Sequence, residues 1–312
     1  MFEGLSAEVI ASVPVLAVLG LCIGSFLNVV VHRLPVIMER GHWTEAALQL
    51  TDVSAWQRVF GAASAPRPEL ASAYAALEAE IDSLPALGIA RPRSRCPSCG
   101  HAIRWFENIP LVGWLMLRGR CSACGAGIGW RYPAVELATG ITFAVIGWRF
   151  GAQWTTLMWC GVAAVLIALA LIDWDTTYLP DTLTLPLLWA GLIAAALGWS
   201  SLTLSQAMWG AVAGYLSLWS VYWLFKLATG KEGMGYGDFK LLGALGAWFG
   251  VTMILPIVLL ASIVGAAVGI GMKFAGSLRE GRYVPFGPFL VGGGLVVLLT
   301  GSRPILRALG WA

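Results

Sequence analysis

Charge is scarce in this chain. Asp, Glu, Lys and Arg make up 12% of its 312 residues, about half of the roughly 25% found in an ordinary soluble domain. That shortage excludes a globular enzyme with a water-facing surface. Net charge is only +3, too small for the basic stripe of a nucleic-acid-binding protein. Histidine is rarer still: His32, His42 and His101 are the only three, and all precede the main apolar region. There is no G-x-S-x-G, no H-E-x-x-H and no nucleotide-binding glycine loop. These absences argue against a Ser–His nucleophile and against a His-ligated catalytic zinc in the apolar part. A cleavable signal peptide is not evident either. The first apolar run, 9–31, has no basic flank before it and is too long, so it reads as a retained helix.

Apolar residues are plentiful instead. The chain is 58% hydrophobic, with 16 Trp and 38 Gly. Glycine is commoner in membrane helices than in soluble ones, and tryptophan gathers at membrane interfaces. The expected fold is an all-α polytopic membrane protein with about eight transmembrane helices and a small cytosolic zinc-knuckle domain. Apolar runs of membrane-crossing length lie at 9–31, 133–150, 156–174, 182–199, 204–228, 238–250, 251–274 and 286–303. Merging 238–274 into one span would make the count seven. The expected divisions are a first helix (1–31), a polar segment (32–132) and a membrane core (133–312). Lys and Arg orient the chain. Residues 32–132 hold 11 of the 20, which puts that segment in the cytosol. Alternation then puts the turns at 175–181, 229–237 and 275–285 on the same side, where Lys231, Arg279 and Arg282 agree. Arg303 and Arg307 disagree, in a short tail that constrains topology weakly.

The polar segment has two halves. Residues 40–90 form an Ala-rich insert of mixed charge, interrupted by Pro66 and Pro68. Within it Leu70, Tyr74, Leu77 and Ile81 recur at helical spacing, and it reads as a spacer or packing element. In the second half, 91–131, Cys96-Pro97-Ser98-Cys99-Gly100 and Cys121-Ser122-Ala123-Cys124-Gly125 are paired C-x-x-C knuckles separated by 21 residues. Four thiolates at such spacing suit a closed tetrahedral zinc site, structural because no position stays open for a substrate. The glycine after each second cysteine permits a tight turn. Disulfides or redox pairs are the alternatives; a cytosolic location and the absence of a thioredoxin-like pattern oppose them. Cys22 and Cys160 fall inside spans and read as packing residues.

Ionisable groups at membrane depth are costly and mark functional sites. Five acids sit in or beside the spans. Asp181 precedes span four in an N-cap position. Asp175 reads as a solvated turn acid, pointing roughly 200° away from Asp173 if the chain is helical there. Glu136 is compatible with snorkelling, arginine pairing or a place in the site. Asp173 closes an apolar run, Leu169-Ala170-Leu171-Ile172-Asp173. Asp238 follows Gly233, Gly235 and Gly237 at the cytosolic start of span six; an N-cap role is its competing reading. Two carboxylates sharing one site do not both ionise comfortably, so one acid and one base coexist near neutrality. Such a pair breaks a peptide bond through an activated water, as in aspartic proteases. Two other readings fit part of the pattern. A proton-coupled transporter would carry inverted repeats and acids at the bilayer midplane, and neither is visible. An assembly platform would use the knuckles for docking and the acids only as caps.

Several stretches together resemble the bacterial type IV prepilin peptidases (prepilin leader peptidase/N-methyltransferases) of the GxGD aspartyl protease class. They are Gly24-Ser25-Phe26-Leu27-Asn28-Val29-Val30 with Arg33-Leu34-Pro35, and the knuckles around Glu107-Asn108-Ile109-Pro110. They continue with Arg131-Tyr132-Pro133-Ala134-Val135-Glu136, Ile172-Asp173 with Leu179-Pro180-Asp181, and Gly235-Tyr236-Gly237-Asp238 with Lys240. The resemblance implies Asp173 and Asp238 as the catalytic dyad and Cys96, Cys99, Cys121 and Cys124 as zinc ligands. It implies prepilin and pseudopilin precursors as substrates, with a short basic leader removed at the cytosolic face of the bacterial inner membrane. S-adenosylmethionine, as donor for N-methylation of the new terminus, is implied by the resemblance alone. The 40–90 insert is longer than the family minimum.

Overall fold

The computed structural model describes residues 7–276 and 284–311; Arg279 and Arg282, used above for orientation, lie outside them. The described residues form helices and turns, with no strand among them. The N-terminal part contains α1 (Ala7–Ile10), α2 (Val13–Thr51), α3 (Val53–Phe60), α4 (Pro68–Ser83) and α5 (Val112–Met116). The remainder is α6 (Arg131–Phe150), α7 (Trp154–Thr176), α8 (Asp181–Ala196), α9 (Leu204–Thr229), α10 (Tyr236–Phe249), α11 (Ile254–Phe274), α12 (Gly287–Thr300) and α13 (Ser302–Ala308).

The first expected span is only part of α2. The apolar run stops at His32 and Arg33, but the helix continues through Pro35 to Thr51. Hydropathy reports burial in lipid rather than backbone conformation, and the residues beyond include good helix formers such as Glu39, Arg40, Glu45 and Ala46. The insert's expected helix is present as α4, begins at Pro68 and packs along the α2 extension. Arg33 and Arg40 of α2 reinforce the seam, donating to the Gly88 and Pro85 carbonyls at 2.9 Å each.

Every expected span coincides with a helix, yet eight membrane crossings are not confirmed. Val13–Thr51, Trp154–Thr176 and Val251–Phe274 are long and apolar enough to cross by length and composition. The pair α12 and α13, bent by 110°, would make a fourth. The others fall short for identifiable reasons. A 16-residue α8 and a 14-residue α10 reach only about 24 and 21 Å, against a hydrocarbon core of roughly 30 Å. Charged Arg131, Glu136 and Arg149 interrupt α6, and Ser, Trp and Tyr side chains dilute α9. Large apolar side chains such as Trp148, Trp189, Leu224 and Ile263 stand more than half exposed around the bundle. An apolar exterior of that extent suits lipid rather than water.

The short α10 is the centre of the bundle. Every residue from Asp238 to Trp248 except Lys240 is buried, as expected of a helix apolar all round. It packs against α8, α9, α11 and α12. Its contact with α9 is a backbone approach. A Cβ on Gly210 would strike the Gly246 carbonyl, and one on Gly246 would strike the Gly210 carbonyl. Small residues let membrane helices approach this closely. Gly210→Ala is therefore expected to cost about 2–3 kcal/mol through overpacking, read as a lower unfolding temperature in detergent. Gly161→Ala, which meets nothing within 4 Å in the middle of α7, should instead leave stability unchanged or raise it by up to ~1 kcal/mol. Equal melting of the two variants would refute this packing account.

Candidate active site and four-cysteine cluster

Asp173 lies in the last turn of α7 and Asp238 in the first turn of α10. They are 4% and 7% exposed, both buried in the bundle. Leu179 joins their surroundings. It follows α7 in the connection to α8. A Cβ on Gly237, next to Asp238, would come within 2.9 Å of it. On its other side, a Cβ on Gly287 would come within 3.2 Å of Leu179 and collide with Asp173 Oδ2. Helix α12 packs on both α7 and α10 and so holds the two acids around one point. Each carboxylate lies within electrostatic range of the other.

The local field is built from helix ends. Helices α10 and α12 present their N-termini here, and the partial positive charge of such ends favours a carboxylate. Asp173 sits at the unfavourable C-terminal end of its own helix and is compensated by the N-terminus of α12. The Gly287 backbone N–H at the start of α12 is directed at this carboxyl group, and its buried Oδ2 makes no full hydrogen bond among the described residues. A buried oxygen left unbonded is costly, and it is available to a water or a substrate group.

The neighbouring acids take other roles. Asp238 is the third residue of its helix, whose N-cap is Gly235, so the N-cap alternative fails. The Asp181 cap also fails. Pro180 holds that position, with no side-chain cap bond, and Asp181 instead accepts two hydrogen bonds from Lys240 Nζ, at 2.8 and 2.7 Å. Asp175 is helical, in the last turn of α7. It forms a bidentate pair with Arg131 at 2.8 and 2.7 Å rather than standing free in a turn. Spacing could not reveal either partner, since Lys240 and Arg131 are 59 and 44 residues away. Both pairs flank the dyad side of the bundle and tie α8 to α10 and α6 to α7.

Glu136 is 8% exposed, and its Oε2 accepts a hydrogen bond from the Leu111 backbone N–H at 2.7 Å. Leu111 adopts φ of 58°, a left-handed conformation unusual for a branched residue. Glu136 thus anchors a strained corner of the polar segment to α6. Four residues earlier along that segment, Glu107 is held below the ordinary carboxylate range, first by the Arg104 backbone N–H and then by the Ser122 hydroxyl.

The four cysteines do come together. Their sulfurs all lie within 4.8 Å of one another, with Cys96 and Cys124 3.8 Å apart and Cys99 and Cys121 4.0 Å apart. Sulfurs at the corners of a tetrahedron ~2.3 Å from one ion are about 3.8 Å apart, so the cluster is compatible with structural zinc. The knuckles are built alike. Cys96 N–H donates to the His101 carbonyl and Cys121 N–H to the Ala126 carbonyl. Gly100 and Gly125 donate back to the first cysteine of each knuckle at φ of 73° and 71°, which is why glycine stands there. The backbone N–H groups of Cys99 and then Ser98 bring the Cys96 thiol down to about 6, favouring the thiolate that metals bind, whereas at Cys99 the His101 backbone N–H is outweighed by desolvation and the neighbouring thiols, which push it up to about 12. Cys160 is buried in the core, as expected of a packing residue, whereas Cys22 is exposed on α2.

Residues 18–150 match the family model described as the bacterial peptidase A24 N-terminal domain, and residues 160–270 match that of the type IV leader peptidase family. The first match takes in most of α2, the cysteine cluster and α6; the second takes in most of α7, all of α8 to α10 and most of α11, with both buried aspartates. A prepilin leader peptidase/N-methyltransferase of Stutzerimonas stutzeri is 46% identical over 96% of this chain and 95% of its own length. Proteins of the same name from Burkholderia pseudomallei (strain 1026b) and Neisseria gonorrhoeae are 47% and 42% identical. They cover 94% and 96% of this chain, and 86% and 94% of their own lengths. No solved structure matches the chain significantly. This chain belongs to the type IV leader peptidase family.

Proposed function

We propose that the protein is a membrane-embedded aspartyl endopeptidase. It removes the short basic leader from type IV prepilins and pseudopilins at the cytosolic face of the bacterial inner membrane, and then methylates the new N-terminus from S-adenosylmethionine. Asp173 and Asp238 are the catalytic dyad. The observation that carries this reading is two buried carboxylates from different helices around the N-terminus of α12, one with an unbonded oxygen. Family membership supports it.

In this reading a water sits between the two carboxyl groups. The ionised partner takes a proton from the water, and the protonated partner donates to the scissile carbonyl. The peptide nitrogen leaves after receiving a proton from the dyad, and no covalent intermediate forms. The C-terminal end of α7 and the N-terminal ends of α8, α10 and α12 converge here, which suits a substrate whose cleavage point lies at a membrane edge. Residues 32–132 face the cytosol in the same reading. Cys96, Cys99, Cys121 and Cys124 would hold zinc that clamps the two knuckles together. A closed set of four thiolates supplies folding energy rather than chemistry.

The test is direct. Purified protein in detergent, given a prepilin precursor, should release the leader and, when S-adenosylmethionine is added, yield a product heavier by one methyl group. An intact precursor would defeat the reading. Gly287→Ala offers a finer check. Its Cβ would collide with Asp173 Oδ2, displacing a catalytic group by several tenths of an ångström. Misplacement on the ångström scale costs about a hundredfold, so a fall of at least about tenfold in cleavage rate is expected, with bound zinc unchanged. Normal cleavage by this variant would show that the acid does not act from the position described.

A further inference from the structure

We propose that Leu179 is a positioning residue that sets the gap between the two aspartates, and that the Asp181–Lys240 pair braces it there. The proposal rests on the dyad reading above and adds a part to it. It gives a task to Leu179-Pro180-Asp181 and to Lys240, which the chemistry of the dyad does not itself use.

The connection between α7 and α8 is only four residues long, 177–180. Connections normally run over the surface, and Tyr178 does stand exposed. Leu179 and Pro180 turn inward and are buried. Leu179 Cδ1 meets the backbone on both sides of the site. A Cβ built on Gly237 would lie 3.2 Å from that methyl, and so would one built on Gly287. Gly237 precedes Asp238, and Gly287 opens α12 with its N–H directed at Asp173. Both glycines are helical and neither has a positive φ. Backbone conformation therefore does not require glycine at either place; space does, because the leucine fills what two Cβ atoms would occupy. One methyl group thus stands between the residue before one aspartate and the helix start that faces the other.

Both flanks of Leu179 are fastened. On the α7 side, Thr177 adopts a φ of 55°, left-handed and unusual for a β-branched residue. Its N–H closes on the Asp173 carbonyl at 2.8 Å, so the turn is tied to the backbone of one aspartate. On the α8 side, the Pro180 carbonyl accepts from the Leu183 and Thr184 N–H groups and from the Thr184 hydroxyl, at 3.1, 3.0 and 3.0 Å. Next to it, Asp181 accepts from Lys240 Nζ at 2.8 and 2.7 Å, and Lys240 lies two residues after Asp238. Charge-assisted hydrogen bonds are the stronger kind, and these hold the start of α8 to the helix that carries the second aspartate. Leu179 itself is 7% exposed and offers a substrate almost no surface. Its effect belongs in turnover rather than in substrate binding.

The experiment measures kcat and KM for precursor cleavage by the full chain in detergent. Leu179→Ala removes Cδ1 and should lower kcat at least about tenfold with KM within about twofold, since ångström-scale misplacement of a reacting group costs on the order of a hundredfold. Leu179→Met, close to leucine in volume, should recover kcat to within about threefold. Lys240→Gln should lower kcat by about threefold, the scale of a part-exposed ion pair, and Lys240→Arg, which keeps the charge, should not. Leu187→Ala is the structural control. Leu187 is equally buried in α8, but its carbonyl meets the Trp248 indole, at the far end of α10 from Asp238. It should lower the melting temperature and keep kcat. If Leu179→Ala is not monodisperse on gel filtration, Leu179→Val, which also lacks Cδ1, decides. Normal kcat in the folded Leu179 variant, an equal fall in Leu187→Ala, or a loss confined to KM would overturn the proposal. A second readout needs no cleavage. Carbodiimide with glycine ethyl ester labels accessible carboxyl groups, and peptide mass spectrometry should show Asp173 and Asp238 labelled several-fold faster in Leu179→Ala but not in Leu187→Ala. An intact precursor with the unsubstituted chain overturns the peptidase, and unaltered labelling then overturns the spacer as well. Normal cleavage by Leu179→Ala overturns the spacer and leaves the peptidase.

Discussion

Asp173→Asn is expected to slow leader cleavage by at least about a thousandfold, and Asp238→Asn to do the same. Positioned general acids and bases each contribute roughly 10²–10⁴-fold, and here neither group works alone. Asparagine keeps the size of aspartate but neither takes up nor gives a proton. Groups that act as one unit are strongly non-additive, so the double variant should cleave no more slowly than either single one. Both carboxylates are buried and their helices pack on α12, so neutral isosteres should leave the bundle intact. The measurement is the rate of precursor-to-mature conversion at fixed protein concentration, with bound zinc as the folding control. Asp175→Asn is the informative comparison: it weakens only the pairing with Arg131 and should lose far less. If either dyad variant keeps even a tenth of normal activity, a mechanism with both acids at the reacting bond is wrong.

The second large effect concerns metal. Cys96→Ser should reduce bound zinc from about one ion per chain to nearly none at ordinary free-zinc levels, as measured by elemental analysis of the purified protein. Structural zinc sites contribute on the order of 10–16 kcal/mol of apparent folding free energy in small finger peptides. Local structure between 91 and 131 has little else to replace it. That segment has no regular element beyond α5 and one short 3-10 turn, and just two isolated antiparallel bridges, Arg95 with Ala102 and Arg120 with Gly127. Loss of the ion should therefore open it to protease and lower protein abundance, more than it alters the chemistry per folded molecule. Unchanged zinc content in this variant would refute four-thiolate ligation. The free cysteine Cys22, outside the cluster, serves as control: Cys22→Ser should keep its zinc.

The knuckles were readable from sequence because each is a local device. Two cysteines, a short turn and a glycine at positive φ lie within five residues, so spacing alone specifies the backbone. Pairing of the two knuckles followed because four sulfurs at one ion leave few other arrangements. Helices were readable for the same reason, as hydrophobicity over 20 residues is a local quantity. Their ends were less so: α2 runs 20 residues past the end of its apolar run because helix propensity outlasts lipid burial. Crossing the membrane was harder again. Helix α10 is apolar, short and enclosed by other helices, and composition does not separate a helix buried in protein from one buried in lipid.

The acids divide along the same line. Asp173 and Asp238 stood out because a charge in an apolar run is anomalous wherever the chain goes. Which acid was bonded to what was not readable. Asp181 was expected to cap a helix and instead binds Lys240; Asp175 was expected to face water and instead holds Arg131. Glu136, compatible with three roles, is buried and holds the Leu111 N–H. The amino-acid order alone therefore determined the membrane class, the two conspicuous carboxylates and the paired cysteine knuckles, because each depends on composition or on neighbours a few residues apart. Tertiary packing alone decided the ion-pair partners and the gathering of both aspartates around the start of α12. Those depend on groups tens of residues apart meeting in space, and no local preference encodes that meeting.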